Sequence, residues 1–180
     1  MGFVRRGLLM KRTPPHPINP HITNPRLADF YLNLVRSGRF KSLRRIIETV
    51  LGSEIKCPPP KHLYIPHPFG VLAASAARVG EYVTLMQFSL LGPKDPWYQG
   101  ESLENLYPTL EEGVYISAGA KILGPVRIGA WSVIGANAVV TEDIPPYSTV
   151  FGHNRILRTN AEPPPPVKKY LDSRNAGQKT

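Results

Sequence analysis

The chain of 180 residues is 42% hydrophobic, enough for one domain with its own core, and it lacks the 18-residue apolar run of a membrane span and the pattern of a signal peptide. Its net charge of +9 is uneven: residues 1 to 61 carry 12 positive and 3 negative charges, 62 to 152 carry 4 and 8, and 153 to 180 carry 6 and 2. The lone Cys57 excludes an internal disulfide and makes a reducing cytoplasm the default location.

Residues 1–25 hold five prolines, all of them in TPPHPINPHITNP, and this spacing predicts an extended arm. The opening MGFVRRGLLMKR reads as a disordered start or as a short basic anchor giving peripheral membrane contact. From Arg26 the period turns helical. Leu27, Phe30, Tyr31, Leu34 and Val35 form one stripe, and Leu43, Ile46, Ile47, Val50 and Leu51 form another. Asn24-Pro25 starts the first helix and Ser37-Gly38 separates the two, so residues 26–53 are expected to form a helical cap. Lys41, Arg44 and Arg45 lie on the outer face of the second helix, as a solvated face or as an anion site.

A period of six then takes over. Leu110, Ile116, Ile122, Ile128, Ile134 and Val140 share one frame, with Val114, Ala120, Val126, Ser132, Ala138 and Ile144 four residues on from each. Upstream the frame recurs at Ala73, Val79, Leu85 and Leu91, and running it backwards places His67 at an inward position and reaches Ile55. Six matches neither the 3.6 of a helix nor the 2 of a strand; it is the mark of a mainly β fold, the parallel β-helix, in which each hexapeptide lays one short strand on a three-sided prism. Gly113, Gly119, Gly124, Gly129, Gly135 and Asn137 are assigned to the corners. Leu91 and Leu110 stand out of phase, so residues 93–109 are expected to leave the prism as a loop, where function tends to sit. The tail from 158 to 180, with four consecutive prolines, is expected to be flexible.

HPFGVLAASAARVGEYVTLMQFSLLG, followed by YPTLEEGVYISAGAKILGPVRIGAWSVIGANAVVTEDIPPYSTVFG, resembles the serine acetyltransferase-like branch of the hexapeptide acyltransferases, closest to short sugar and exopolysaccharide O-acetyltransferases. The likeness spans about residues 54–157. It implies a left-handed winding, a homotrimer, an acetyl-CoA donor and an active site in the cleft between neighbouring prisms. In the motif His67-Pro68-Phe69-Gly70 the family places its catalytic base, and imidazole suits that role because it exchanges a proton near neutral pH. Glu54 stands nearest to the family's orienting carboxylate, and Tyr107 stands where serine acetyltransferases carry a second histidine. Pro66 replaces their aspartate before the base, so serine is the less favoured acceptor and a sugar hydroxyl the more favoured one. The resemblance lays the donor's pantetheine arm against Ala118 and Ala136 and its phosphates near Lys121, Arg155 and Arg158.

A non-catalytic trimeric scaffold that has kept the fold is the competing reading. No C-x-x-C pair or histidine set suggests a metal, the glycines follow the period of six rather than a phosphate-loop motif, and the acidic prism speaks against nucleic acid.

Overall fold

The computed structural model describes residues 12–95 and 106–177. Helix α1 (Arg26–Ser37) follows Pro25, whose extended backbone leads straight into the first turn, and it stops at Gly38, which takes the left-handed conformation and donates its N–H to the Val35 carbonyl. It buries Ala28, Tyr31, Leu32 and Leu34, while Leu27 of the expected stripe faces solvent. Helix α2 (Lys41–Leu51) buries only Ile47 and Leu51. The remainder of its predicted inner stripe, Leu43, Ile46 and Val50, is exposed, because a single row of the helix meets the end of the prism.

Thirteen short strands follow among the described residues, their brevity set by the six-residue turn. One face of the prism stacks β1 (Glu54–Ile55), β2 (Leu72–Ala73), β5 (Leu90–Gly92), β8 (Lys121–Leu123) and β11 (Val139–Val140). A second stacks β4 (Thr84–Leu85), β7 (Tyr115–Ile116), β10 (Val133–Ile134) and β12 (Ser148–Phe151). A third stacks β3 (Arg78–Val79), β6 (Thr109–Leu110) and β9 (Arg127–Ile128). All these pairs are parallel and in register, so each frame residue sits on its counterpart, as Leu91 does on Ile122 and Leu110 on Ile128. Only β13 (Arg155–Thr159) runs antiparallel, turning back along β12. Apart from the half-buried Val79, which packs against it, the frame residues and their partners four positions on are buried, and the apolar ones form one continuous core with α1 and α2. At the out-of-phase interval the chain leaves after β5 on the first face and returns at β6 on the third. Residues 96–105 of that loop lie outside the described residues.

Not every corner glycine turns the chain. Gly113, Gly119 and Gly124 have positive φ, as does Asn137, whereas Gly129 and Gly135 do not; a Cβ there would strike Pro146 and Phe151 of the next coil, so these two serve close approach.

The arm from residue 12 and the tail up to residue 177 pack onto one edge. In the arm, His16 is buried; its Nδ1 accepts the N–H groups of Ile18 and Asn19 at 3.2 and 3.3 Å, and its Nε2 therefore carries the proton donated to the Tyr82 carbonyl at 3.1 Å. Asn24 bonds Asp29, Leu63 and Ile65. The tail corrects its expectation: helix α3 (Pro165–Gly177) forms there, since proline is tolerated in a first helical turn, where its missing N–H has no partner to lose. Val167 is buried, Tyr170 packs edge-on against Trp131 and Tyr82 at 5.6 and 5.7 Å, and Arg174 pairs with Glu112. The opening segment 1–11, with its anchor reading, lies outside the described residues.

Candidate active site

The corners that join the second face to the first form a column. Backbone bonds tie them one above another: Phe88 N–H to the Phe69 carbonyl, Gly119 N–H to Gln87 and Asn137 N–H to Ala118, each at 2.9 Å. His67 therefore shares one edge of the prism with Ala118 and Ala136, although up to 69 positions of sequence separate them. Ala118 is half-buried and Ala136 exposed, so a ligand laid along this edge meets small side chains and backbone.

His67 does not occupy the inward position predicted by running the frame backwards. The inward Ile65 and Ala73 stand eight positions apart, where Leu85 and Leu91 stand six apart, and the two extra residues carry the imidazole out of the core to an exposed site. The turn is held from beneath. Ser53 Oγ donates to the Pro68 carbonyl and accepts the Val71 N–H, both at 2.9 Å, while Phe69 N–H returns to the His67 carbonyl at 2.8 Å. Gly70 has φ +64°, and a Cβ there would run into the Phe88 ring, so two separate constraints require glycine at the end of His-x-x-Gly.

Glu54 follows Ser53, which brings its backbone close to the His67 turn. Its carboxylate nevertheless pairs with Lys56 at 3.0 Å, and no hydrogen bond joins it to His67 among the described residues. Glu54 and Tyr107 meet elsewhere: with Leu72, Leu90 and Pro93 they line a recess of about 280 Å³ at the opposite margin of the first face. One chain thus assembles Glu54 with Tyr107, and His67 with the two alanines, but not all five.

Among the proposed phosphate partners, Lys121 is exposed on the first face beside the column and donates to the Gly119 carbonyl at 3.1 Å. Arg155 pairs in register with Phe151 at the far end of the same column, and Arg158 donates to Asn160 at 2.8 Å. Cys57 is buried, and burial raises its thiol to about 11, which leaves it inert. Among the described residues no group of three or more His, Cys, Asp or Glu side chains converges.

Phe69 and Phe88 were not singled out from sequence. Both flank His67 and are 50% and 64% exposed. The signal was present in Phe88, which stands three residues after the inward Leu85, a corner where a left-handed backbone favours glycine or asparagine; its φ is +60°.

Residues 107–142 match the model of the bacterial transferase hexapeptide (six repeats). A serine acetyltransferase of Staphylococcus xylosus is 39% identical over 92 residues, which are 51% of this chain and 40% of that protein. One of Mycobacterium tuberculosis is 41% identical over 90 residues, 50% of this chain and 37% of that protein. The chain thus spans about two fifths of the length of the curated relatives it matches. Among solved structures, a serine acetyltransferase in complex with CoA superposes with a TM-score of 0.56 at 29% identity over 73% of this chain and 56% of that one. That of Neisseria gonorrhoeae in complex with serine gives 0.52 at 30% identity over 71% and 52%. These likenesses carry the expected left-handed β-helix and support placing the chain among the hexapeptide-repeat acyltransferases.

Proposed function

We propose that this hexapeptide-repeat protein is an acetyl-CoA-dependent O-acetyltransferase acting on a small hydroxylated acceptor, a sugar hydroxyl in preference to serine. The observation that carries the reading is the single edge on which an exposed His67 stands above the small-residue corners of Ala118 and Ala136. The likeness to a CoA-bound serine acetyltransferase supports the donor. In the reaction, His67 removes the proton of the acceptor hydroxyl as its oxygen attacks the thioester carbonyl carbon. A tetrahedral oxyanion forms, the C–S bond breaks, and the imidazolium returns the proton to the departing CoA sulfur.

Within one chain Tyr107 lies across the first face from His67, so we place the complete site between neighbouring prisms of a homotrimer, Tyr107 of one donating a hydrogen bond toward the acceptor held by His67 of the next. A reducing cytoplasm, where the buried Cys57 thiol stays free, remains the proposed location. The relatives' names keep serine in contention. Against it, Pro66 and Tyr107 stand where the resemblance calls for an aspartate and a histidine, which removes two groups able to bind an amino acid. The scaffold reading draws on the lack of a bond between His67 and Glu54.

A thiol-release assay with acetyl-CoA tests all three, run against serine and a panel of free sugars and nucleotide sugars. Release of CoA with a sugar and little with serine is expected. Turnover of serine alone would transfer the function to that acceptor. No acetyl-CoA binding by calorimetry at millimolar ligand would leave only the scaffold.

A further inference from the structure

Of the aromatic residues that take left-handed corners of the prism, Tyr82, Trp131 and Tyr147 are largely covered, whereas Phe88, at φ +60°, is 64% exposed. A bulky side chain in this conformation is strained, and exposure leaves the strain uncompensated within the chain. The equivalent corners on the same edge carry Gly70, Gly119, Asn137 and Gly152, which suit the backbone. Strain of this kind collects at functional sites, where a bound group supplies what the chain does not.

The ring stands on the turn that carries His67. It lies over Gly70, so close that a Cβ there would overlap it, and the Phe88 N–H bonds the Phe69 carbonyl at 2.9 Å. Among the described residues it contacts no other aromatic ring. The track of small residues that climbs the column through Ala136 and Ala118 ends at this corner, so a donor laid along it brings its acetyl group up beside the ring. An acceptor whose hydroxyl comes within about 3 Å of the imidazole then has its carbon skeleton against the phenyl.

The surroundings select that skeleton. Besides His67 the turn consists of Pro66, Pro68, Phe69 and Gly70, none of them charged. Glu54 is paired with Lys56, and Lys121 lies two coils away, on the Gly119 carbonyl. A phenyl face bears partial negative charge, which draws C–H groups polarised by neighbouring oxygens and repels a carboxylate. A pyranoside offers such a C–H face with hydroxyls around its rim, whereas serine brings a carboxylate and no apolar face.

We propose that Phe88 determines the acceptor class: its ring is the platform on which the C–H face of a pyranoside stacks while one hydroxyl of the sugar reaches His67. Resting on the acetyl-transfer reading, this narrows the acceptor to a sugar in its ring form.

The test compares the wild type with Phe88→Asn, which suits the left-handed corner, and Phe88→Tyr, which keeps the ring. Saturation-transfer NMR with methyl β-glucopyranoside, methyl β-galactopyranoside, methyl α-mannopyranoside and open-chain sorbitol reads binding without turnover, and thiol release from acetyl-CoA reads it with turnover. The wild type should saturate the ring C–H protons of at least one glycoside and leave sorbitol weak. Phe88→Asn should erase that signal and raise the acceptor KM about tenfold or more with the KM for acetyl-CoA unchanged, while unfolding no earlier than the wild type. Phe88→Tyr should keep the binding. No signal from any glycoside, equal signal from sorbitol, or glycoside binding indifferent to Phe88→Asn would overturn the assignment. So would a change in oligomeric state with Phe88→Asn, which would show a second copy as the cover of the ring. Glycoside binding that depends on Phe88, without any acetyl-CoA binding by calorimetry, would overturn the transfer reading alone and leave Phe88 as the sugar contact.

Discussion

Two edges of the prism make the same demand on the backbone and answer it with different residues. Where the second face turns into the first, the left-handed corner position is held by Gly70, Phe88, Gly119, Asn137 and Gly152. Where the third turns into the second, it is held by Tyr82, Gly113, Trp131 and Tyr147. A left-handed conformation costs an L-residue about 1–2 kcal/mol, and an aromatic repays this only if its ring is then buried. On the second of these edges it is: the arm and α3 close over it, His16 and Tyr170 pack against Tyr82 and Trp131, and His62 stacks on Tyr82 at 5.0 Å. The Tyr82 hydroxyl, bonded to that of Tyr170 and partly desolvated, is pushed up to about 12. Among the described residues the first edge has no such cover, and there the corners are small except at Phe88, whose exposed ring lies over Gly70 beside the His67 turn. Small corners without a lid are what a ligand lying on the backbone requires, and a closed aromatic edge is what an otherwise marginal pair of chain ends requires.

The sharpest way to break this contrast is to remove the candidate base on the open edge. His67→Ala should lower kcat about 10²- to 10⁴-fold with the KM for acetyl-CoA little changed, since a general base acts chiefly in the transition state. The melting temperature should not move, because His67 is exposed and packs on nothing in the core. Activity near wild type would take the catalytic role from His67.

The mirror experiment falls on the closed edge. Trp131→Ala opens a hole beneath the arm and α3 and should cost about 3–5 kcal/mol of stability, read by denaturant unfolding, with kcat per folded molecule retained. Loss of activity without loss of stability would mean that the closed edge belongs to the site. On the open edge Ala136→Leu should do the reverse, raising the KM for acetyl-CoA about tenfold or more, equivalent to 1.4 kcal/mol of binding, at unchanged stability. Tyr107→Phe should cost less than His67→Ala, on the order of the tenfold that loss of one neutral hydrogen bond allows. If Tyr107→Phe were inactive and His67→Ala normal, the assignment of the two residues would be inverted.

Much of this contrast can be read from the chain, because the period of six assigns each inward residue by itself. Ile116, Ile122 and Ile128 needed no tertiary information. The register of His67 did, since its eight-residue turn is fixed by Ser53, a partner 15 positions before Pro68. The helix at Pro165 was hidden by composition: a proline run reads as extended until Val167 and Tyr170 find the aromatic edge. The open row of α2 was hidden in the opposite way, since Leu43 and Ile46 carry a core pattern and nothing local says which half of an apolar face will be covered. His16 could not have been found, for its acceptor Tyr82 lies 66 positions away.

His16 also gives the smallest effect, one that sharpens the contrast by pH. Burial lowers its pKa below the usual 6.5, partly offset by the bond to the Tyr82 carbonyl. The neutral ring already uses Nδ1 as an acceptor for Ile18 and Asn19, so a second proton would have to break those bonds. When the arm detaches, His16 regains the ordinary pKa. The detached state therefore binds the proton first, and the arm's attachment, fully present above pH 6.5, is lost as pH falls through the lowered value in the folded state. Protection of the 12–25 backbone in hydrogen exchange should decline from pH 7 toward pH 5, with Trp131 emission shifting red as the arm lifts. His16→Gln, which cannot titrate, should flatten both trends, while the affinity of the open edge for acetyl-CoA stays constant across that range. An arm whose protection rises on acidification would mean that a group other than His16 governs its hold on the closed edge.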